Sequence, residues 1–331
     1  MKKVLVTGPA GFIGSHLVES LIRSGYEVRA FVHYNSGNKI GWLSSLPKEV
    51  LSEIELFPGD IRDSERVSNA AKDIDLIFHL AALIAIPHSY TSVRSYVETN
   101  VVGTLNILES ARKNKVERLI HTSTSEVYGS AQYIPIDERH PQVGQSPYSA
   151  SKIGADKLAE SYFKSFGTPV TIIRPFNTYG PRQSNRAVIP TIITQALSGN
   201  EVKLGVLDTT RDFSYVADTV SGFMATMKVS KIEGETINLG TGYDVSVEQV
   251  VSLISQILGR DLRIQVDQLR FRPTKSEVSQ LQSCNARAKE LLDWSPTLEG
   301  EKGLIEGLRN TIDWFKEADN LAHYSNTEYT L

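Results

Sequence analysis

The chain has 331 residues, with 35 Lys and Arg against 38 Asp and Glu, a formal net charge of −3 and 40% hydrophobic residues. That length can bury a substantial core as one α/β domain with a smaller appended lobe, and the small negative charge excludes a general attraction to nucleic acid or to an anionic membrane. The single cysteine, Cys284, excludes an intrachain disulfide and a thiolate metal cluster.

Met1-Lys2-Lys3 leads directly into a strand pattern with no signal peptide, and no apolar run is long enough to cross a bilayer, so a cytoplasmic enzyme is expected. The strand over residues 3–7 ends in Thr7-Gly8-Pro9-Ala10-Gly11-Phe12-Ile13-Gly14, and a helical pattern then runs to about Ser24. A second strand is expected over 27–32, a Ser/Gly/Asn-rich loop over 35–41, and further apolar runs lie at 55–58, 76–80, 118–123 and 170–174. Helical stretches separate most of them, including 93–113 and 149–166. This alternation predicts an α/β fold with a doubly wound parallel (Rossmann) sheet covered on both faces.

After Pro175 the helices shorten and Pro and Gly become frequent. Residues 1–175 are therefore expected to be the dinucleotide-binding domain and 176–331 mostly a substrate-binding lobe. A return near 212–240 would bring a late strand, 235–239, back to the main sheet. The tail after Ala318 is polar and expected to fray. Ligands of such sheets sit at the carboxyl ends of the strands. The glycine turn, Leu80-Ala81-Ala82 and Thr124-Ser125-Glu126 all fall there.

Gly8-x-x-Gly11-x-x-Gly14 has one more residue between its first two glycines than the usual dinucleotide fingerprint. Glycine permits the tight turn, lets the backbone approach a pyrophosphate and leaves the helix amino terminus, opened by Phe12 and Ile13, aimed at negative charge. A plain glycine turn is the alternative. NAD specificity usually shows an acidic residue at the end of the second strand; here that end reads Phe31-Val32-His33-Tyr34-Asn35-Ser36. With His33, Ser36 and Arg29 as candidate contacts for a 2′-phosphate, the cofactor is read as NAD or NADP, with NADP favoured. Asp60-Ile61, after the third strand, is an adenine contact or a capping turn.

Tyr148 and Lys152, four apart, share one helix face, where an ammonium can hold a phenolate. About one such Tyr-x-x-x-Lys match is expected by chance in a chain of this composition, and a solvated helix face is its ordinary meaning. Its weight comes from Glu126, a second base at a preceding strand end: oxidising an alcohol needs one base, and a step at the adjacent carbon needs another. Glu126 could otherwise cap a loop. His79 and His88 have no metal-ligand partners at useful spacing, so they are read as structural and no metal site is expected.

Taken together, residues 7–14, His79-Leu80-Ala81-Ala82, Thr99-Asn100, Thr124-Ser125-Glu126, Tyr148/Lys152 and Arg174-Pro175-Phe176-Asn177 resemble the extended short-chain dehydrogenase/reductases, and within them the nucleotide-sugar 4,6-dehydratases. The resemblance runs to about Trp314, and residues 146–183 are similar to dehydratases acting on nucleotide-linked N-acetylglucosamine in legionaminic acid pathways. It implies that Tyr148, its pKa lowered by Lys152, takes the C4 hydroxyl proton of a UDP- or GDP-sugar, with Thr124 bonded to the C4 oxygen. Glu126 would be the C5 base, and the cofactor would be tightly held and recycled. Ser125 stands where glucose-nucleotide members carry an aspartic acid, so either Glu126 shuttles its proton to the leaving hydroxyl or another group supplies one. Arg211 and Arg272 match positions that grip the pyrophosphate, while Asn177 and residues 187–190, among them Val188, would line the sugar and base. Arg182 is a weaker candidate, and Asn100 would order the tyrosine or serve only as a buried hydrogen-bonding group. Relatives imply a homodimer through the helices 93–113 and 149–166. A nucleotide-sugar 4-epimerase, which needs no C5 base, and a non-catalytic nucleotide sensor are the competing functions.

Overall fold

The computed structural model describes residues 2–324. Its strands, in chain order, are β1 (Lys3–Thr7), β2 (Glu27–His33), β3 (Ile54–Gly59), β4 (Leu76–His79), β5 (Arg118–Thr122), β6 (Val170–Pro175), β7 (Asn177–Tyr179), β8 (Glu201–Leu204), β9 (Thr210–Tyr215), β10 (Thr236–Leu239), β11 (Asp244–Ser246), β12 (Arg263–Val266) and β13 (Gln280–Leu281). The main sheet is parallel in the order β10-β6-β5-β4-β1-β2-β3. The chain winds one way from β1 to β3 and the other way from β4 to β10, so the crevice for a ligand opens between β1 and β4.

Strand alternation decides which layer each apolar residue enters. Val4 and Val6 of β1 join a core with Leu17, Leu21, Phe78, Val220 and Phe223, whereas Leu5 faces the other layer with Ile77, Ile107, Leu119 and Ile172. β4 and β6 are buried along their whole length, as a sheet covered on both faces requires.

The expected strand near 235–239 is β10, paired with β6 so that Asn238 opposes Arg174. Residues 212–215 do not take part in that return. They belong to β9, which pairs with β7, β11 and β13 in a small sheet. The chain regains the main core with the helix Val216–Ala225. Ala288, Leu292 and Trp294 pack into the same core. A separate apolar cluster, including Ile189, Ile193, Val202, Phe213, Val250 and Leu308, organises the rest of the smaller lobe.

Two helices differ from the sequence pattern. The stretch 93–113 begins as a turn of α-helix, opens into a π-helix over Val97–Val102 and resumes as α-helix at Gly103–Lys113; such wide turns occur where a side chain must be re-aimed, here Asn100. The tyrosine helix starts at Pro147, since proline fits the first turn, where its missing N–H costs nothing. Ser146 and Ser149 close a capping box, which places Tyr148 within the first turn. In the tail, Ala318–Leu321 is a short helix, and the expectation of fraying falls in part outside the described residues.

β9 is locked by Asp212, whose wholly buried carboxylate accepts from Thr241 N at 2.8 Å and Oγ1 at 2.7 Å, Gly242 N at 2.8 Å, and Ser283 N at 3.1 Å and Oγ at 2.6 Å. Asp212→Asn presents an NH2 group to some of these donors and strands them. The variant is expected to lose about 2–3 kcal/mol, seen as a lower urea midpoint; an unchanged midpoint would contradict the assignment of Asp212 as the lock.

Candidate active site

A cleft of about 1640 Å3 runs along the carboxyl ends of the main strands and under the smaller lobe. Its floor is set by close backbone approach. Gly8 has φ +70°, and a Cβ there would stand 2.8 Å from Ala81 N; one on Gly14 would stand 2.1 Å from Gly8 O. Only glycine lets the turn close against the segment Leu80-Ala81-Ala82, which also lines the cleft. Thr7 Oγ1 accepts from Ala81 N at 3.1 Å and pairs with His79 Nδ1 at 2.8 Å, His79 Nε2 meets Thr104 Oγ1 at 3.0 Å, and Thr104 Oγ1 donates to Asn100 O at 2.6 Å. With Thr104 donating onward, the imidazole proton belongs on Nε2, and burial holds the ring neutral. His79 is therefore the structural residue expected.

The helix Phe12–Arg23 begins at Gly11 with no side-chain cap and no acidic residue in its first turn. Its free N–H groups and the glycine cradle fit a dinucleotide pyrophosphate, and Gly11, Phe12, Ile13 and Gly14 line the cleft beside them. At the adenosine end lie His33, Asp60 and Ile61. Arg62 grips Asp60 through Nε at 3.0 Å and Nη2 at 2.6 Å and holds that carboxyl down at about 2.

Two expected phosphate contacts fail. Arg29 is turned away, with Nε on Glu55 at 2.8 Å and Nη1 on the carbonyls of Ala70 and Lys72 at 2.8 and 2.9 Å. Ser36 stays out of the lining, which Gly37, Asn38 and Lys39 form instead. Sequence reasoning also missed Trp42 and His323, which line this end with ring centroids 4.9 Å apart. They are too far apart in sequence for any local pattern to join them.

At the other end, β5 stops at Thr122, and Thr124 caps a single 3-10 turn, Ser125–Tyr128, by accepting from Glu126 N at 3.2 Å. This brings Thr124, Ser125 and Glu126 into the cleft with Tyr148 and Lys152. Thr124 and Glu126 are both near enough to influence the Tyr148 phenol, and Glu126 is near enough to influence Arg211. Asn100 clamps Leu83, accepting from its N at 2.8 Å and donating to its O at 2.9 Å, and donates to Ser151 Oγ at 2.9 Å, which in turn donates to Tyr148 O at 2.7 Å. Asn100 thus both fills a buried role and anchors the tyrosine turn.

Lys152 Nζ donates to Thr122 O at 2.7 Å. Burial pushes the Tyr148 phenol up from its ordinary value, and the nearby Glu126 charge adds to that. Burial draws Lys152 itself down to about 8, against the pull of Asp156.

The substrate side is built from the smaller lobe. Asn177 Oδ1 is buried without a hydrogen-bond partner, on a residue that lines the cleft. Ala187, Val188 and Ile189 line it at the uncapped start of the helix Val188–Ser198. Arg211 and Arg272 share one carboxylate oxygen, Glu277 Oε1, at 3.5 and 3.4 Å. Glu277 was not foreseen; a carboxylate five residues after Arg272 was its only signal. Two guanidiniums on one carboxylate leave a net positive charge suited to phosphate oxygens. Arg182 reaches Glu19 at 3.0 Å and ties its loop to the helix Phe12–Arg23. His88 bonds Ser92 at 3.1 Å. Among the described residues no cluster of three or more His, Cys, Asp or Glu could hold a metal ion, and no helix is long and apolar enough to cross a membrane.

Known proteins agree with this geometry. The family profile described as GDP-mannose 4,6 dehydratase matches residues 5–306. A dTDP-D-glucose 4,6-dehydratase from Homo sapiens is 31% identical over 342 residues, covering 100% of this chain and 94% of the relative. A UDP-N-acetyl-alpha-D-glucosaminuronate decarboxylase from Bacillus cytotoxicus is 33% identical over 330 residues, covering 96% and 99%. Among solved structures, UDP-glucuronic acid 4-epimerase from Bacillus cereus, in complex with UDP-glucuronic acid and NAD, superposes with a TM-score of 0.86 at 32% identity, covering 95% of this chain and 99% of that one. With a matching family profile, full-length relatives and a superposing fold, the chain belongs to the GDP-mannose 4,6 dehydratase family, nucleotide-sugar enzymes of the extended short-chain dehydrogenase/reductase type.

Proposed function

We propose that this chain catalyses the NAD(P)-dependent 4,6-dehydration of a nucleoside-diphosphate hexose, UDP- or GDP-linked N-acetylglucosamine, to the 4-keto-6-deoxy sugar. The observation that carries this reading is Glu126, on the turn that follows β5, lining the same cleft as Tyr148 and Lys152. An epimerase working only at C4 has no use for it.

Arg211 and Arg272 would hold the diphosphate by exchanging Glu277 for phosphate oxygens, and Asn177 Oδ1 would find its missing donor in the sugar or base. When bound, an oxidised nicotinamide dinucleotide supplies a positive charge and a hydride acceptor that later returns the hydride. Tyr148 would act as its phenolate, favoured by Lys152 and by the positive charge of the bound cofactor, and remove the C4 hydroxyl proton; the C4 ketone acidifies the C5 hydrogen. Glu126 takes that proton. Ser125 is 3% exposed and, as an alcohol, a poor acid, so Glu126 also delivers the proton to the C6 hydroxyl. That group leaves as water, and the C5–C6 enone would be saturated at C6 by the returned hydride and at C5 by a proton, which balances the one Tyr148 took from the C4 hydroxyl. His33 at the exposed end of β2 and an Asp60 already bound to Arg62 accept NADP as well as NAD in this proposal.

The 4-epimerase reading has the superposed Bacillus cereus enzyme in its favour, and one variant separates the two. Glu126→Gln is expected to keep cofactor affinity while the product lighter by one water falls by about 100-fold or more, followed by mass spectrometry over a panel of UDP- and GDP-sugars. Full dehydration by that variant would remove Glu126 from its role; a product of unchanged mass from the wild-type protein would favour the epimerase.

For Tyr148→Phe, no rise in reduced-cofactor absorbance is expected in a single turnover, and a normal rise would exclude Tyr148 as the base.

We also propose a homodimer. Val93 and Val97 stand 48% and 46% exposed, four residues apart on one helical stretch. Val97→Glu is expected to give a monomer in light scattering of the eluted protein, and an unchanged mass would place the interface elsewhere.

A further inference from the structure

A row of buried polar side chains crosses the main sheet directly beneath the site. Thr7 of β1 opposes His79 of β4, which opposes His121 of β5, with the two imidazole centroids 5.6 Å apart. Beyond His121 the row continues through Asp156 to Arg174 of β6, whose Nη1 donates to Tyr128 Oη at 2.9 Å, and Tyr128 Oη donates to Asn238 of β10 at 2.7 Å. Asp156 is the centre of this row. It is fully buried on the tyrosine helix, one turn after Lys152, and accepts from His121 Nε2 at 3.2 Å, Ser123 Oγ at 2.8 Å, Arg174 Nε and Nη2 at 3.2 and 3.0 Å and Gln142 Nε2 at 3.4 Å.

We infer that Asp156 is the positioning residue of the Tyr148/Lys152 pair: it fixes the end of β5 against the tyrosine helix and places a buried carboxylate one helical turn from Lys152. Two of its donors, His121 and Ser123, flank Thr122, whose carbonyl receives Lys152 Nζ. The same short segment is thus held by Asp156 through its side chains and by Lys152 through its backbone. The titratable groups around Lys152 are Tyr148 and Asp156 on its own helix, His121 on β5 and His79 on β4, while Arg174 on β6 meets Asp156. Burial disfavours a charge on both imidazoles, and Asp156, paired with Arg174, is the carboxylate of the group. An ammonium buried without one would lose its proton.

This role rests on Tyr148 and Lys152 acting together in alcohol oxidation and is independent of the chemistry at C5. The test is competitive labelling of Lys152 by acetic anhydride across pH, read by peptide mass spectrometry, with single-turnover cofactor reduction alongside. In Asp156→Asn the apparent pKa of Lys152 is expected to fall by about one unit. The alkaline limb of cofactor reduction should move down with it, because the ammonium is present only below its pKa. Cofactor affinity and the far-ultraviolet dichroism should stay as in the wild type. A folded Asp156→Asn protein with an unshifted Lys152 overturns the inference, even if activity falls. Should that variant not fold, D156N/R174M removes the stranded guanidinium with the carboxylate and must show the same downward shift. Failure of both to fold with saturating dinucleotide would make Asp156 a folding residue only and would also overturn it.

Discussion

Lys152 Nζ bonds the carbonyl of Thr122 at 2.7 Å, and the geometry of the catalytic end is set by that contact. It joins the tyrosine helix to the last residue of β5, so Tyr148 on the helix and Thr124–Glu126 beyond the strand must face one another. A bond from an ammonium to a carbonyl is charge-assisted and directional. It also occupies an ammonium that is 3% exposed, where an unpaired charge would be prohibitive. The placing of Tyr148 and Glu126 in one cleft depends on this apposition.

The two halves of the cleft present charge by different means. One half presents backbone: glycines that admit close approach, and the uncapped first turn of the helix Phe12–Arg23. The other presents side chains, with Arg211 and Arg272 on one Glu277 oxygen. Arg211 is buried, so its charge needs a partner whether or not substrate is present. Glu277 fills that need and still leaves one positive charge for phosphate.

Much of the fold was legible because its signals are local. The main-sheet strands, the glycine turn and the late strand expected at 235–239 come from runs of apolar residues with turn residues between them, and the ligand crevice comes from their parallel order, whereas the short strands of the smaller lobe were not foreseen. The misreadings have physical causes. Arg29 has the place on β2 of a phosphate contact, but it lies back from the strand end and is engaged by Glu55 and two carbonyls. The stretch 93–113 carries a continuous helical period, and a π-turn barely alters a hydrophobic pattern, so the re-aiming of Asn100 left no trace there.

Residue identity and short spacing determined by themselves that this chain would build a doubly wound sheet, a glycine-lined pyrophosphate turn, and a tyrosine, a lysine and a glutamate near strand ends. Those features depend on contacts within a few residues, where sequence distance and spatial distance coincide. Only the tertiary structure decided the burial of Tyr148 and Lys152, the pairing of both arginines with Glu277, and the buried row through Asp156. Each is set by burial and by charges brought together from elements far apart in the chain, and such quantities exist only once the chain has closed on itself.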